Sequence, residues 1–346
     1  MKFGYGLLTA QRPPGESKSY SDVYEESLDI ARRAEAAGFD SVWVSEHHFF
    51  DDGYAPSVFP FAAAVARETE TIEVGTSVAL APLYHPVRLA EDAAVVDILS
   101  GGRFNLGLAN GYLDREFEVF DVPKEARATY VSEAIEICKR AWTRDTFSFE
   151  GERHQFEDLR VEPKPAQEGG PRILLGGTSK PAVGRAGRRA DGHIGIIYYD
   201  EAMSYESSFA QFRDNADWLA SKRDLDGDDF TLAVMQYAHL AEDDEEAWDE
   251  LRPALVYSRR QYARHAAERD DSEWDIDTMS DERLAQLRAG ALVGSPESVV
   301  ETLRRYERDI DGELHLVARL WHPTLSHDTL VRSLELFADE VISEFA

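Results

Sequence analysis

What most limits the folds open to this chain is a repeated alternation. A short run rich in β-branched and aromatic residues is followed by a longer stretch with apolar residues at helical spacing, eight times over. The strand-like runs fall at residues 3–8, at the opening of 42–50, and at 72–80, 103–109, 172–176, 193–198, 230–240 and 313–320. Helical patterns lie at 22–37, 60–68, 87–99, 126–142, 181–190, 205–223, 243–267, 296–308 and 327–345. Gly38 closes the first helix, and Ser295 with Pro296 forms a helix start. Strands separated by helices pair in parallel, so a (β/α)8 TIM barrel occupying residues 1–346 as a single domain is expected, with a doubly wound open sheet as the alternative. No Gly-x-Gly-x-x-Gly follows the first strand, where a dinucleotide-binding sheet would carry it. Two stretches interrupt the alternation: a Pro, Gly and charge-rich insertion at about 144–171, after the fourth strand, and an acidic segment at about 268–291, before the last βα unit. The second reads either as a solvated loop or as a lid over a barrel mouth.

Charge narrows the partners. The chain of 346 residues carries 66 acidic against 37 basic residues, a net charge of −29, and only seven of the basic residues are lysine. Nucleic acid and anionic lipid are bound through basic side chains, so neither is an expected partner. The acids are spread along the whole chain, as in a protein kept hydrated at high salt, and a halophilic, cytoplasmic protein is expected. Cys138 stands alone inside a helical pattern and reads as a small buried hydrophobe. The N-terminus enters a strand with no signal-like progression, and no apolar run reaches about 18 residues, so neither secretion nor membrane spanning is expected.

Chemistry concentrates where the strands end. Val42 to Val44 is apolar, and Glu46, His47, His48, Phe49 and Phe50 follow at once. Such a stretch is either a surface loop that happens to hold two histidines or a strand delivering a site to its C-terminal end. Similar groups lie at Leu8 and Thr9, Ser77 to Leu80, Ala109 to Tyr112, Gly176 to Ser179 and His193 to Tyr198. Gly176-Gly177-Thr178-Ser179 precedes a helix and reads either as a tight turn or as a phosphate cradle. The mouth is apolar and aromatic, which suits a flat ring cofactor. His47 and His48 point to opposite faces of an extended segment, so they cannot chelate one ion together, and no metal-ligand spacing or Gly-x-Ser-x-Gly nucleophile elbow is found.

A further set of motifs carries a resemblance. Met1-Lys2-Phe3-Gly4, Gly38-Phe39-Asp40, Glu46-His47-His48-Phe49, Val74-Gly75-Thr76, His85-Pro86-Val87-Arg88, Ala90-Glu91-Asp92 and Gly102-Arg103-Phe104 occur in order, followed by Asp114, Phe117, Val119 and Phe120, and later by Val293-Gly294 with Pro296-Glu297. In this the chain resembles the luciferase-like flavin-dependent monooxygenase family, and within it the bacterial luciferase α-subunit type, densely to about residue 122 and thinly beyond.

The resemblance implies a barrel that takes reduced FMN from a separate flavin reductase. The flavin would react with O2 through a C4a-peroxyflavin to oxidise a small apolar or aldehyde-like substrate. It gives His47 the catalytic, proton-moving role, which an imidazole suits near neutral pH. It sets Glu46, Thr76, Ser77, Val78, Ala109, Asn110, Gly176, Gly177, Thr178 and Ser179 around the cofactor, with a non-prolyl cis peptide at Ser77 and Val78 beneath the ring and the phosphate at Gly177 to Ser179. Leu8, His48, Phe49, Tyr112 and His193 are expected to border the substrate. Residues 61–65 and 89–99 match the family's dimer surface, so a homodimer or larger assembly is expected.

The chain departs from the luciferase pattern at Ala109 for a reactive cysteine, Asn110 for a phosphate-clamping arginine, Leu113 for a tyrosine and Gly177 for a glutamate. Light emission is not expected. Relatives that use the deazaflavin F420 for hydride transfer supply one alternative, and a flavin-binding protein without turnover supplies another.

Overall fold

The expected alternation closes into a ring. In a computed structural model, which describes residues 1–198, 203–223, 225, 230–265, 271 and 274–345, the strands are β1 (Lys2–Leu8), β2 (Ser41–Val44), β3 (Glu73–Thr76), β4 (Ala79–Leu80), β5 (Phe104–Ala109), β6 (Phe147–Glu150), β7 (Gln155–Leu159), β8 (Arg172–Gly176), β9 (Gly192–Ile196), β10 (Thr231–Leu240), β11 (Leu292–Gly294) and β12 (Leu314–Arg319). Parallel pairing runs β1, β2, β3, β5, β8, β9, β10, β12 and back to β1. This is the (β/α)8 barrel. β4 continues β3 against β5, and β11 extends the end of β10.

The helices are α1 (Tyr20–Ala36), α2 (Val58–Glu68), α3 (Pro86–Ser100), α4 (Asp114–Val119), α5 (Arg127–Thr143), α6 (Lys180–Arg189), α7 (Tyr205–Ala220), α8 (Asp244–His265), α9 (Asp281–Ala289), α10 (Pro296–Asp309) and α11 (His327–Leu336). Their starts follow the sequence: Ser19 caps α1 in a reciprocal pair with Asp22, and Ser295 caps α10 ahead of Pro296. Cys138 is fully buried in α5. Among the described residues no helix is long and apolar enough to cross a membrane.

Strand periodicity sorts the side chains into two cores. Leu7, Trp43, Leu174, Ile194, Ala233 and Val317 fill the barrel interior. Val42, Val44, Leu106, Leu108, Ile173 and Leu175 face the helix layer. Trp43 sets the interior's shape, because a Cβ on Gly75 would lie inside its ring and one on Gly4 would lie 2.6 Å from its indole nitrogen. These glycines are fixed by the space the indole takes, and burying so large a ring contributes about 3 kcal/mol.

The structure corrects three details. The strand expected over 72–80 is broken at Ser77 and Val78, between β3 and β4. The insertion at 144–171, whose sequence has one short strand-like run at 146–149, holds an antiparallel hairpin, β6 with β7. Buried Glu133 on α5 anchors its turn by accepting from the backbone N–H groups of Glu152 (2.6 Å), Arg153 (3.0 Å) and His154 (3.0 Å).

The third correction concerns 268–291, where residues 268–270, 272 and 273 lie outside the described residues. The rest is no solvated loop, for it contains α9. Trp274 and Leu287, with Ile276, Met279 and Leu284 beside them, pack into a satellite core with Trp248, Leu251 and Leu255 of α8.

Candidate active site

β2 delivers its polar groups at the C-terminal mouth, as a barrel strand should. Glu46 is buried, and its carboxylate accepts from His48 Nε2 (2.8 Å), Tyr84 Oη (3.0 Å) and the Leu80 N–H (2.9 Å). It therefore ties the end of β2 to β4 and orients His48. This is a positioning role, where the sequence suggested a cofactor contact.

His47 is 8% exposed, and its Nδ1–H donates to Glu116 Oε1 at 3.2 Å. The His48 backbone N–H donates to the same oxygen at 3.1 Å. Glu116 comes from α4, is 1% exposed, and its other oxygen has no partner. A carboxylate on Nδ1 fixes the ring's tautomer and leaves Nε2 as the free acceptor. No described protein group bonds that Nε2. Around the ring stand Phe50 at 5.1 Å, Tyr54 at 4.9 Å, Tyr262 at 5.5 Å and Tyr112 at 5.8 Å between centroids. The arrangement is a held imidazole in an aromatic, water-poor wall, suited to moving one proton.

Further round the ring, three small-residue positions converge. The peptide between Ser77 and Val78 is cis, as the resemblance implied. A Cβ on Gly176 would lie 3.2 Å from Val78 Cγ1 and 3.5 Å from Ala109 Cβ, so the break between β3 and β4 and the ends of β5 and β8 together present a flat patch with almost no side chain. Asn110 lies next to it with a buried Oδ1 that has no partner. An orphaned acceptor beside an open patch calls for a donor from a ligand. Thr76 contributes differently from expectation, since its hydroxyl donates to the Gly107 carbonyl at 2.7 Å and joins β3 to β5.

Gly177 (φ +138) then turns the chain into α6, and its N–H donates to the Ile194 carbonyl at 3.3 Å. Ser179 occupies the N-cap without a side-chain cap bond, and the first turn of α6 carries no acid. These are the features of a helix start that accepts an anion.

Three expected residues lie elsewhere. Leu8 belongs to the outer core, and Leu7 faces the barrel interior instead, because a register shift between Tyr5 and Leu8 reverses the alternation of β1. His193 alternates with interior Ile194, so it turns toward the helix layer, where its Nδ1–H donates to the Leu175 carbonyl at 3.0 Å. Phe49 is 48% exposed beside Phe120 (5.9 Å), on the outside of the loop that carries His47. Tyr112 does border the mouth, half exposed at the edge of His47.

Sequence reasoning missed Glu116, Tyr54, Tyr262, Tyr237 and Arg319. Only Arg319 left a signal, as a guanidinium on the interior phase of a strand that also points Val317 inward.

Comparison with known proteins bears on the family. The luciferase-like monooxygenase family model matches residues 1–311. The oxygenase component of the flavin-dependent trigonelline monooxygenase of Acinetobacter baylyi is 24% identical, with 99% of this chain and 95% of that protein aligned. Among solved structures, the monooxygenase RslO1 of Streptomyces bottropensis superposes with a TM-score of 0.84 at 25% identity, covering 100% of both chains. The oxygenating constituent of 3,6-diketocamphane monooxygenase of Pseudomonas putida, a type II Baeyer–Villiger enzyme in complex with FMN, gives a TM-score of 0.75 at 22% identity over 99% of this chain and 98% of that one. F420-dependent enzymes share the fold as well. With its barrel closed and nine-tenths of its length under one family model, the chain belongs to the luciferase-like monooxygenase family.

Proposed function

We propose that the chain binds reduced FMN across the barrel mouth and uses O2 to oxidise a small, largely apolar organic substrate, with His47 moving the proton. One observation carries this reading: Val78, Ala109 and Gly176 form a flat patch with the orphaned Asn110 Oδ1 at its edge and the open start of α6 beyond. That sequence of features fits a tricyclic ring, its polar edge and a terminal phosphate.

When bound, the flavin supplies the redox chemistry and the activation of O2. This chain's residues do the rest. Gly177 to Ser179 and the first N–H groups of α6 would hold the phosphate. Glu116 keeps Nδ1 of His47 protonated, so Nε2 takes up or returns a proton on the mouth side. Phe50, Tyr54 and Tyr262 keep water from that nitrogen. A separate reductase would supply the reduced flavin, as the resemblance to the luciferase type implies. Exposed Val95, Ile98 and Leu99 on α3 support pairing with a second copy of the chain.

An F420-dependent hydride transfer is the second reading. It is favoured by the lack of a guanidinium at Asn110, which weakens the case for a phosphate clamp specific to FMN. Equilibrium titration of the purified protein with reduced FMN and with reduced F420, both anaerobic, separates the two. Tighter binding of FMN is expected, and tighter binding of F420 overturns the oxygenase reading.

A further inference from the structure

Opposite the flat patch stands a wall with a different chemistry. Arg319 points into the barrel mouth from the end of β12, which lies four steps from β5 in either direction round the ring, so Arg319 and Ala109 face each other across it. Arg319 is 2% exposed. Its Nη1 donates to Tyr237 Oη at 2.8 Å and Tyr262 Oη at 3.3 Å, and its Nε has no partner. Arg259 of α8 lies on the same wall, its guanidinium 5.6 Å from the centre of the Tyr237 ring, with Arg319 at 4.4 Å from that ring. Arg259 Nε is likewise buried and unbonded.

Among the described residues neither guanidinium has a carboxylate partner, in a chain with 66 acids to choose from. Arg259 is half-buried, whereas Arg319 is a buried cation without a counter-charge, which costs several kcal/mol, and tyrosine hydroxyls and ring faces return only part of that. Such a charge is kept where a ligand brings the anion.

We propose that Arg319 and Arg259, with the hydroxyl of Tyr237, form the subsite for a carboxylate on the substrate, so that the chain acts on an organic acid. The inference rests on the reading of the mouth as a flavin site, because it seats the rest of the acid between this wall and the Val78, Ala109 and Gly176 patch. A planar carboxylate matches the guanidinium fork, and Tyr237 Oη, which accepts from Arg319, still has a proton to donate to it, while Tyr262 Oη directs its own to Tyr54 Oη at 3.4 Å. Tyr262 also touches His47, with ring centroids 5.5 Å apart, so a bound acid lies within reach of the proton-moving group.

The test uses flavin-free protein at constant ionic strength, titrated with benzoate, cyclohexanecarboxylate and octanoate and with the matching neutral amides, read by intrinsic fluorescence. At least one acid is expected to bind, its amide to bind at least tenfold more weakly, and Arg319→Met to weaken the acid about tenfold or more, as loss of a charge-assisted pair implies. Arg319→Met is also expected to melt no lower than the unaltered protein, because it removes an uncompensated buried charge.

Equal binding of acids and amides, binding of no acid, or acid binding unchanged in Arg319→Met overturns the proposal. So does a large fall in the melting temperature of Arg319→Met, which would make the guanidinium a strut for the two tyrosines. FMN titration of the same samples keeps the two claims apart. Selective acid binding without flavin binding sinks the flavin reading alone, whereas loss of FMN binding with acid binding intact gives Arg319 to the flavin.

Discussion

Lowering the pH from 7.5 to 5.0 should destabilise this fold steeply, and three histidines set the size of the effect. His193, His315 and His322 are 1%, 5% and 0% exposed. Burial pushes their pKa values down to about 4, about 3 and about 3. Their bonds suit neutral rings: His193 to the Leu175 carbonyl, His322 to the Ala238 carbonyl and His315 to Ser41 Oγ.

An unfolded histidine binds its proton near pH 6.5, so below that value the unfolded chain holds more protons than the native one and stability falls with pH. The contribution is fully present above about pH 7 and is lost progressively toward the folded values of 3 to 4. At pH 5.0, about 1.5 units below the unfolded value, each ring costs roughly 2 kcal/mol, and the three together roughly 6 kcal/mol. That is a large part of the 5–15 kcal/mol typical of a fold. His85 and His239, also pushed down chiefly by burial, act in the same sense. Asp52, pushed up by burial, opposes them as a single group.

Urea unfolding at the two pH values and fixed salt measures the difference, and His193→Gln should remove about a third of it. A fall of less than about 2 kcal/mol, or a rise, would refute the reasoning that these rings are held neutral.

Two substitutions probe the site directly. Glu116→Ala should release His47 into both tautomers, seen by nitrogen-15 NMR at pH 9, and lower kcat about 10- to 100-fold with KM little changed, the loss of one charge-assisted hydrogen bond. Glu116→Gln, whose amide oxygen still accepts from Nδ1–H, should keep the single tautomer. Gly176→Val should leave the fold intact and weaken FMN binding about 100-fold or more, because its methyl groups enter the patch beside Val78 and Ala109. Unchanged FMN affinity in that variant would remove the patch from the cofactor site.

The barrel is legible because strand and helix periods differ and alternate cleanly, and the apolar run Val42 to Val44 is buried core. Side-chain direction is less so. Its position at the end of the first strand places Leu8 at the mouth, but the register shift in β1 reverses which leucine faces inward. His193 sits at the right end of the barrel, but strand parity turns it away from Ile194's side.

The acidic stretch after α8 reads from its charges either as a solvated loop or as a lid, while Trp274 and Leu287 within it are enough to build a small core. Glu116, 69 residues from His47, and Tyr262, 57 residues from Arg319, meet their partners only through the fold. No local spacing encodes such contacts. Only the out-of-place arginine in β12 hinted at the charged wall.

The most direct test of the central claim is to admit O2 to the anaerobic complex with reduced FMN and follow its absorbance. Oxygenase chemistry predicts a transient species, distinct from both reduced and oxidised FMN, that decays slowly without substrate and faster when an acceptable substrate is added. Immediate conversion to oxidised FMN at the rate seen in free solution would contradict the account.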